Sequence, residues 1–135
     1  MVTYRIAEAA EILAVSDDTV RRWVDSGRIA SQRTDGRTTV TGPDLAELAE
    51  HLAEGGEVAE RDRTRAGSVS ARNRMSGIVT RVKRDLVMAQ VEMICGPYRV
   101  VSLMSSDAAE ELGLEPGVRA IASVKSTNVI VEVPS

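Results

Sequence analysis

A polar run from Gly55 to Val69 divides this chain into two stretches of different hydrophobic rhythm, and that break constrains the fold more than any other feature. The run reads G-G-E-V-A-E-R-D-R-T-R-A-G-S-V, with two valines among mixed charges. Such a segment buries too little apolar surface to offset the entropy of ordering it, so it reads as a linker. Before it, apolar residues recur at helical spacing; after it, they alternate as in strands. A chain of 135 residues has room for one average domain or two small ones. The expectation is an α+β protein of two small domains: residues 1–54, a linker at 55–69, and residues 70–135.

Composition limits what can fill those domains. Phe is absent and aromatics make up 2%, so the cores must be built from Val, Ile, Leu, Ala and Met. Met88, Met93 and Met104 read as core filler of this kind. The single cysteine, Cys95, cannot form an intramolecular disulfide; it reads as a small apolar residue in a strand and suits a reducing cytosol. No apolar stretch approaches the roughly 20 residues of a membrane helix. The first residues, M-V-T-Y-R, lack the basic-then-apolar pattern of a signal peptide, so a cytoplasmic location is expected. Net charge is −3, and six arginines face ten carboxylates before Gly55. Bulk charge therefore gives no argument for nucleic acid, and any DNA role must rest on where the arginines sit.

In the first stretch, Ala7 to Leu13 is a run of good helix formers. Ser16 then stands as an N-cap ahead of Asp17 and Asp18, whose carboxylates suit the positive end of a helix dipole. The helix from Asp17 to Ser26 sets Val20, Trp23 and Val24 on one stripe, and Gly27 closes it. Asp35-Gly36, between short β-prone runs, marks a hairpin, and Thr41, Pro43 and Asp44 open a third helix running to about Ala53. With these residues in place the stretch resembles the excisionase/MerR-like winged-helix family. The resemblance rests on Y-R-I-A-E-A-A at 4–10, V-S-D-D-T-V-R-R-W at 15–23 and G-R-I at 27–29. One departure is Ala14, where the family commonly has Gly in the turn.

The resemblance implies double-stranded DNA as a partner. It places Ser16, Thr19, Arg21 and Arg22 on the helix that enters the major groove, and Arg33 and Arg37 at the tip of the wing. Taken alone, Arg21 and Arg22 would read as solvated charges facing away from the apolar stripe. A single short module makes few contacts, so at least a dimer is expected.

The second stretch reads as short strands at 77–83, 87–94, 98–103, 118–124 and 129–133. A short helix at 108–112 follows the capping cluster Ser105-Ser106-Asp107. Five strands with one helix after the third suggest a small OB-like barrel. Residues 70–133 resemble the Mop domain, also called TOBE or molbindin. The resemblance is carried by S-A-R-N at 70–73, Met104-Ser105, Ala108, L-G-L-E-P-G at 112–117 and V-K-S at 124–126. It implies binding of molybdate or tungstate between identical subunits, at Ser70, Ala71, Arg72, Asn73, Ser105, Lys125 and Ser126. The chemistry agrees, because a dianion needs donors and no acceptors. Arg72 and Lys125 are cationic, and Ser70, Ser105 and Ser126 bring hydroxyls. Each charge-assisted hydrogen bond contributes about 1.5–3 kcal/mol. Ser105 stands where the family commonly has Thr, which keeps the hydroxyl; Ala108 stands where it commonly has Ser, which removes a donor.

No nucleophile–base–acid set and no P-loop is present, and Cys95 and His51 lie in different stretches, so no enzyme and no metal site is expected. Three functions compete. The first is a transcriptional regulator that senses molybdate or tungstate, and the second a passive oxyanion-binding or storage protein. The third is a DNA-binding protein whose second domain serves only to oligomerise.

Overall fold

The computed structural model describes residues 2–54 and 73–134. The expected linker, and with it Ser70, Ala71 and Arg72, lies outside the described residues.

The first half holds three helices and a small sheet. Strand β1 (Thr3–Arg5) runs straight into α1 (Ile6–Leu13), followed by α2 (Asp17–Asp25), the hairpin β2 (Gln32–Thr34) and β3 (Arg37–Thr41), and α3 (Gly42–Glu54). The antiparallel sheet has the order β1-β3-β2, with Tyr4 opposite Val40. Local chemistry sets the boundaries. At the start of α1, the Glu8 carboxylate accepts the Arg5 backbone N–H at 3.0 Å, and that bond holds its carboxyl below the usual carboxylate range. At the end, Ala14 adopts the left-handed conformation at φ 58°, so the turn is made where glycine would be expected. Ser16 caps α2 by accepting the Thr19 N–H at 3.2 Å. Asp35 and Gly36 both have positive φ, as a two-residue type I′ hairpin requires. Leu13, Val15, Val20, Val40, Leu45 and Leu52 are almost wholly buried.

The second half is a four-stranded antiparallel sheet of order β6-β5-β4-β7. It comprises β4 (Arg74–Arg84), β5 (Met88–Cys95), β6 (Tyr98–Ser105), the helix α4 (Ser106–Glu111) and β7 (Arg119–Ser123). A register shift between Val79 and Arg81 lets the long β4 bend. This corrects the expected five-stranded barrel: among the described residues the sheet has four strands and does not close. Val129–Val133 follows a single 3₁₀ turn at Ser126–Asn128 and pairs with no described strand; Ile130 and Val131 are each 84% exposed. The propensity of V-I-V is real, but a strand needs a partner edge, and nothing described in this chain offers one there. Cys95 is the last residue of β5, and burial pushes its thiol up to about 11, consistent with the apolar role expected of it.

The halves share one buried cluster. Ile78 of β4 and Ile94 of β5 pack with Leu45, Ala49 and Leu52 of α3. No described helix is long and apolar enough to cross a membrane.

Candidate functional site

The two expected sites differ in how far the structure assembles them. On α2, Val20 and Trp23 are buried while Arg21 and Arg22 are exposed, so the helix presents both arginines outward on a fixed base. Arg21 lies 3.6 Å from Asp18, a pairing between exposed groups that contributes little. Ser16 and Thr19 have structural duties. Their hydroxyls lie 2.9 Å apart, Thr19 is 6% exposed, and the Arg22 guanidinium donates to its Oγ1 at 3.3 Å. Thr19 thus aims Arg22 rather than standing free at the surface. Behind them Arg28 stacks over the Trp23 ring with its guanidinium carbon 5.2 Å from the centroid, a contact the sequence reading missed. In the wing, Arg33 donates across the turn to the Gly36 carbonyl at 2.6 Å, and Arg37 is exposed beside it. Arg21 and Arg22 on α2 and Arg33 and Arg37 on the hairpin are all exposed.

The oxyanion set is scattered. Asn73 and Ser126 meet, with Asn73 Nδ2 donating to Ser126 Oγ at 3.3 Å, and Lys125 is the residue before Ser126. Because Ser126 accepts there, its own hydroxyl proton is left to donate outward. The turn from Ser123 to Val129 carries no carboxylate, so donors dominate. Ser105 is elsewhere. It pairs with Met88 at the Arg84 end of β4, while Ser123 pairs with Arg74 at the other end. Ten positions of strand separate those ends, about 30 Å of extended chain. Ser105 lies, moreover, in β6, at the edge of the sheet opposite β7. At Ser105 the hydroxyl accepts the Ala108 N–H at 3.1 Å, and the Ser106 N–H goes to the Val87 carbonyl at 2.8 Å. Two N–H groups at this helix start are therefore already used, and Asp107 adds negative charge to its first turn. Within one chain, then, the described donors form one cluster at Asn73, Lys125 and Ser126 and a separate point at Ser105.

Comparison with known proteins matches both halves. Residues 3–53 match the model of a helix-turn-helix domain and residues 69–131 that of the TOBE domain. Molybdenum-pterin-binding protein 3 of Clostridium pasteurianum is 43% identical over 65 residues, 47% of this chain and 96% of that protein. Molybdenum-pterin-binding protein 1 of the same organism is 38% identical over the same shares. Among solved structures, MopII from Clostridium pasteurianum is 39% identical, covering 48% of this chain and 98% of its own, with a TM-score of 0.44. A molybdate binding protein from Sporomusa ovata is 29% identical, over 48% and 97%, also at 0.44.

Proposed function

The chain belongs to the TOBE family of the molybdenum-pterin-binding proteins and carries a helix-turn-helix domain ahead of that segment, and from this premise we propose that it is a DNA-binding transcriptional regulator that senses molybdate or tungstate. In this reading residues 1–54 grip DNA, 55–69 connect, and 70–135 take the oxyanion. The observation that carries the DNA half is the outward placement of Arg21 and Arg22 on a helix whose opposite face is buried. The relatives named for molybdenum supply the ligand class, and Asn73, Lys125 and Ser126 supply a carboxylate-free donor cluster that suits a dianion.

Ser105 lies at the other end of the sheet, which favours an oxyanion site completed by a second copy, where one chain's Ser105 can face another's Lys125. A homo-oligomer of at least two chains follows, acting in the cytoplasm and without catalysis. Oxyanion binding would then alter how two helix-turn-helix units meet their half-sites.

The passive-binding reading keeps one specific support. Asp44, Glu47, His51 and Glu54 of α3 line an open cavity of about 660 Å³ with Arg28, an acidic face better suited to protein than to DNA.

Gel shift with and without molybdate, with sulfate as control, separates the readings. The regulator requires DNA binding that molybdate changes and sulfate does not; no DNA binding at low salt would sink it. Lys125→Ala and Arg72→Ala should each abolish thermal stabilisation by molybdate, and the site assignment fails if both variants are still stabilised.

A further inference from the structure

The two halves are held together by more than the chain that joins them. Tyr4, at the centre of β1, is 7% exposed, and its hydroxyl donates to the Gly117 carbonyl at 2.8 Å. The same oxygen accepts the Arg119 N–H at 2.9 Å, so the phenol uses its donor and an acceptor on one segment of the sheet domain. Desolvation by burial raises the Tyr4 pKa above its ordinary value. Alongside, the Arg119 guanidinium meets Glu11 of α1 at 2.7 Å. Gly117 has φ 97°, and a Cβ placed on it would lie 2.5 Å from the Gly42 carbonyl carbon. Neither half can approach the other in this way with a side chain at that position. Ile78 and Ile94 also join a buried apolar cluster with Leu45, Ala49 and Leu52 of α3.

The position of this clamp matters as much as its strength. Tyr4 pairs with Val40 of β3, a strand of the wing, and Arg5 leads directly into α1. On the other side, the Gly117 N–H donates to the Val79 carbonyl at 2.8 Å. Gly117 also ends the loop leaving α4, the helix that Ser105 caps. One hydroxyl therefore ties the wing and first helix to the loop between α4 and β7, which is itself bonded to the middle of β4.

We infer that Tyr4 is a positioning residue that passes oxyanion-linked movement of the TOBE half to the recognition helix and wing; this rests on the regulator reading above. A flexible tether alone would let the helix-turn-helix unit turn freely, so a change in subunit packing would not change the spacing of two such units. Clamped, each unit moves with its sheet, and a change in packing becomes a change in half-site spacing.

The test uses the full chain, a duplex selected by the unsubstituted protein from random sequence, and sodium molybdate. Tyr4→Phe keeps the buried ring and removes the hydroxyl. The molybdate-dependent change in DNA affinity should fall about fivefold or more, while affinity without molybdate and thermal stabilisation by molybdate are retained. A merely structural role would instead weaken DNA binding with and without molybdate alike. Hydrogen exchange at the Arg119 amide should speed up about tenfold, the equivalent of one lost hydrogen bond. Glu11→Gln, on an exposed part of α1, should move the DNA response in the same direction by less. A full molybdate response in both variants overturns the inference, as does an unchanged Arg119 exchange rate in Tyr4→Phe. If the unsubstituted chain shows no molybdate effect on DNA, the regulator reading falls and the relay falls with it.

Discussion

The two halves of this molecule treat their apolar side chains in opposite ways. Before Gly55, Val2 is the one large hydrophobic residue described as exposed. After it, Leu86, Tyr98, Leu103, Leu112, Ile121 and the tail from Val129 to Val133 all stand in solvent or near it. The first half closes its core with α1, α2, α3 and a small sheet, using few aromatic residues. The second half spreads four strands that do not close among the described residues, and keeps a groove of about 430 Å³ lined by Val91, Met93, Met104 and Ile121. The contrast teaches that one half buries nearly all of its large apolar side chains, while the other leaves a row of them exposed, as the proposed association of two copies requires. The candidate donors Ser126 and Ser105 lie toward opposite ends of that sheet, which suits the proposed site between two copies.

The sharpest way to break this comparison is to make the same change on both sides. Leu45, with no exposure, sits in the first core, and its replacement by Ala should cost about 2–5 kcal/mol of unfolding free energy. Leu103, 68% exposed on β6, should lose less than about 0.5 kcal/mol for the same change when the chain is held dilute enough to be monomeric. Urea denaturation of the two variants measures both. Equal losses at low concentration would mean that the second half has a core of its own that includes Leu103.

The next effect is on association. Ile130 is 84% exposed, and burying such a side chain against a partner contributes about 1.5–3 kcal/mol. Ile130→Asp should therefore weaken self-association by roughly 10- to 100-fold, or more if the carboxylate is forced into an apolar seat. Sedimentation equilibrium reads this directly. An unchanged association constant would remove the tail from the interface and leave its exposure without a purpose.

Legibility in the sequence follows the same division. The first half was readable because its signals are local: Ser16 caps α2 three residues from its partner, and Asp35-Gly36 makes its turn without help. Strand β1 was not readable, because three residues carry no period and Thr3–Arg5 becomes a strand by pairing with β3 some 36 positions later. The clamp was still harder, since Tyr4 and Gly117 are separated by 113 positions and a lone tyrosine carries no mark of its partner. In the second half the strands announced themselves by alternation, but closure did not follow. Propensity at Val129–Val133 says that a segment would pair if an edge were offered, and not which chain offers it. That Asn73 and Ser126 meet while Ser105 lies apart from them is a matter of register, which motif spacing does not contain.

The smallest effect probes how relaxed the first half is. Ala14 holds φ 58° and ψ 45° at the end of α1, a conformation that costs an L residue about 1–2 kcal/mol. Glycine there would remove that strain. It would also lose a methyl that is 2% exposed, worth about 0.8 kcal/mol, and would enlarge the freedom of the unfolded chain by about 0.4–1 kcal/mol. The two sides nearly cancel, so Ala14→Gly should change stability by less than about 1 kcal/mol, a few degrees in Tm for a domain of this size. Ala14→Val is the contrasting case, because a β-branched side chain meets the same backbone with more clash and no added room, and it should destabilise by about 2 kcal/mol or more. If Ala14→Gly instead raised stability by well over 1 kcal/mol, the first half would be carrying strain that its burial does not offset, and the contrast between a settled half and an unfinished one would have to be redrawn at this turn.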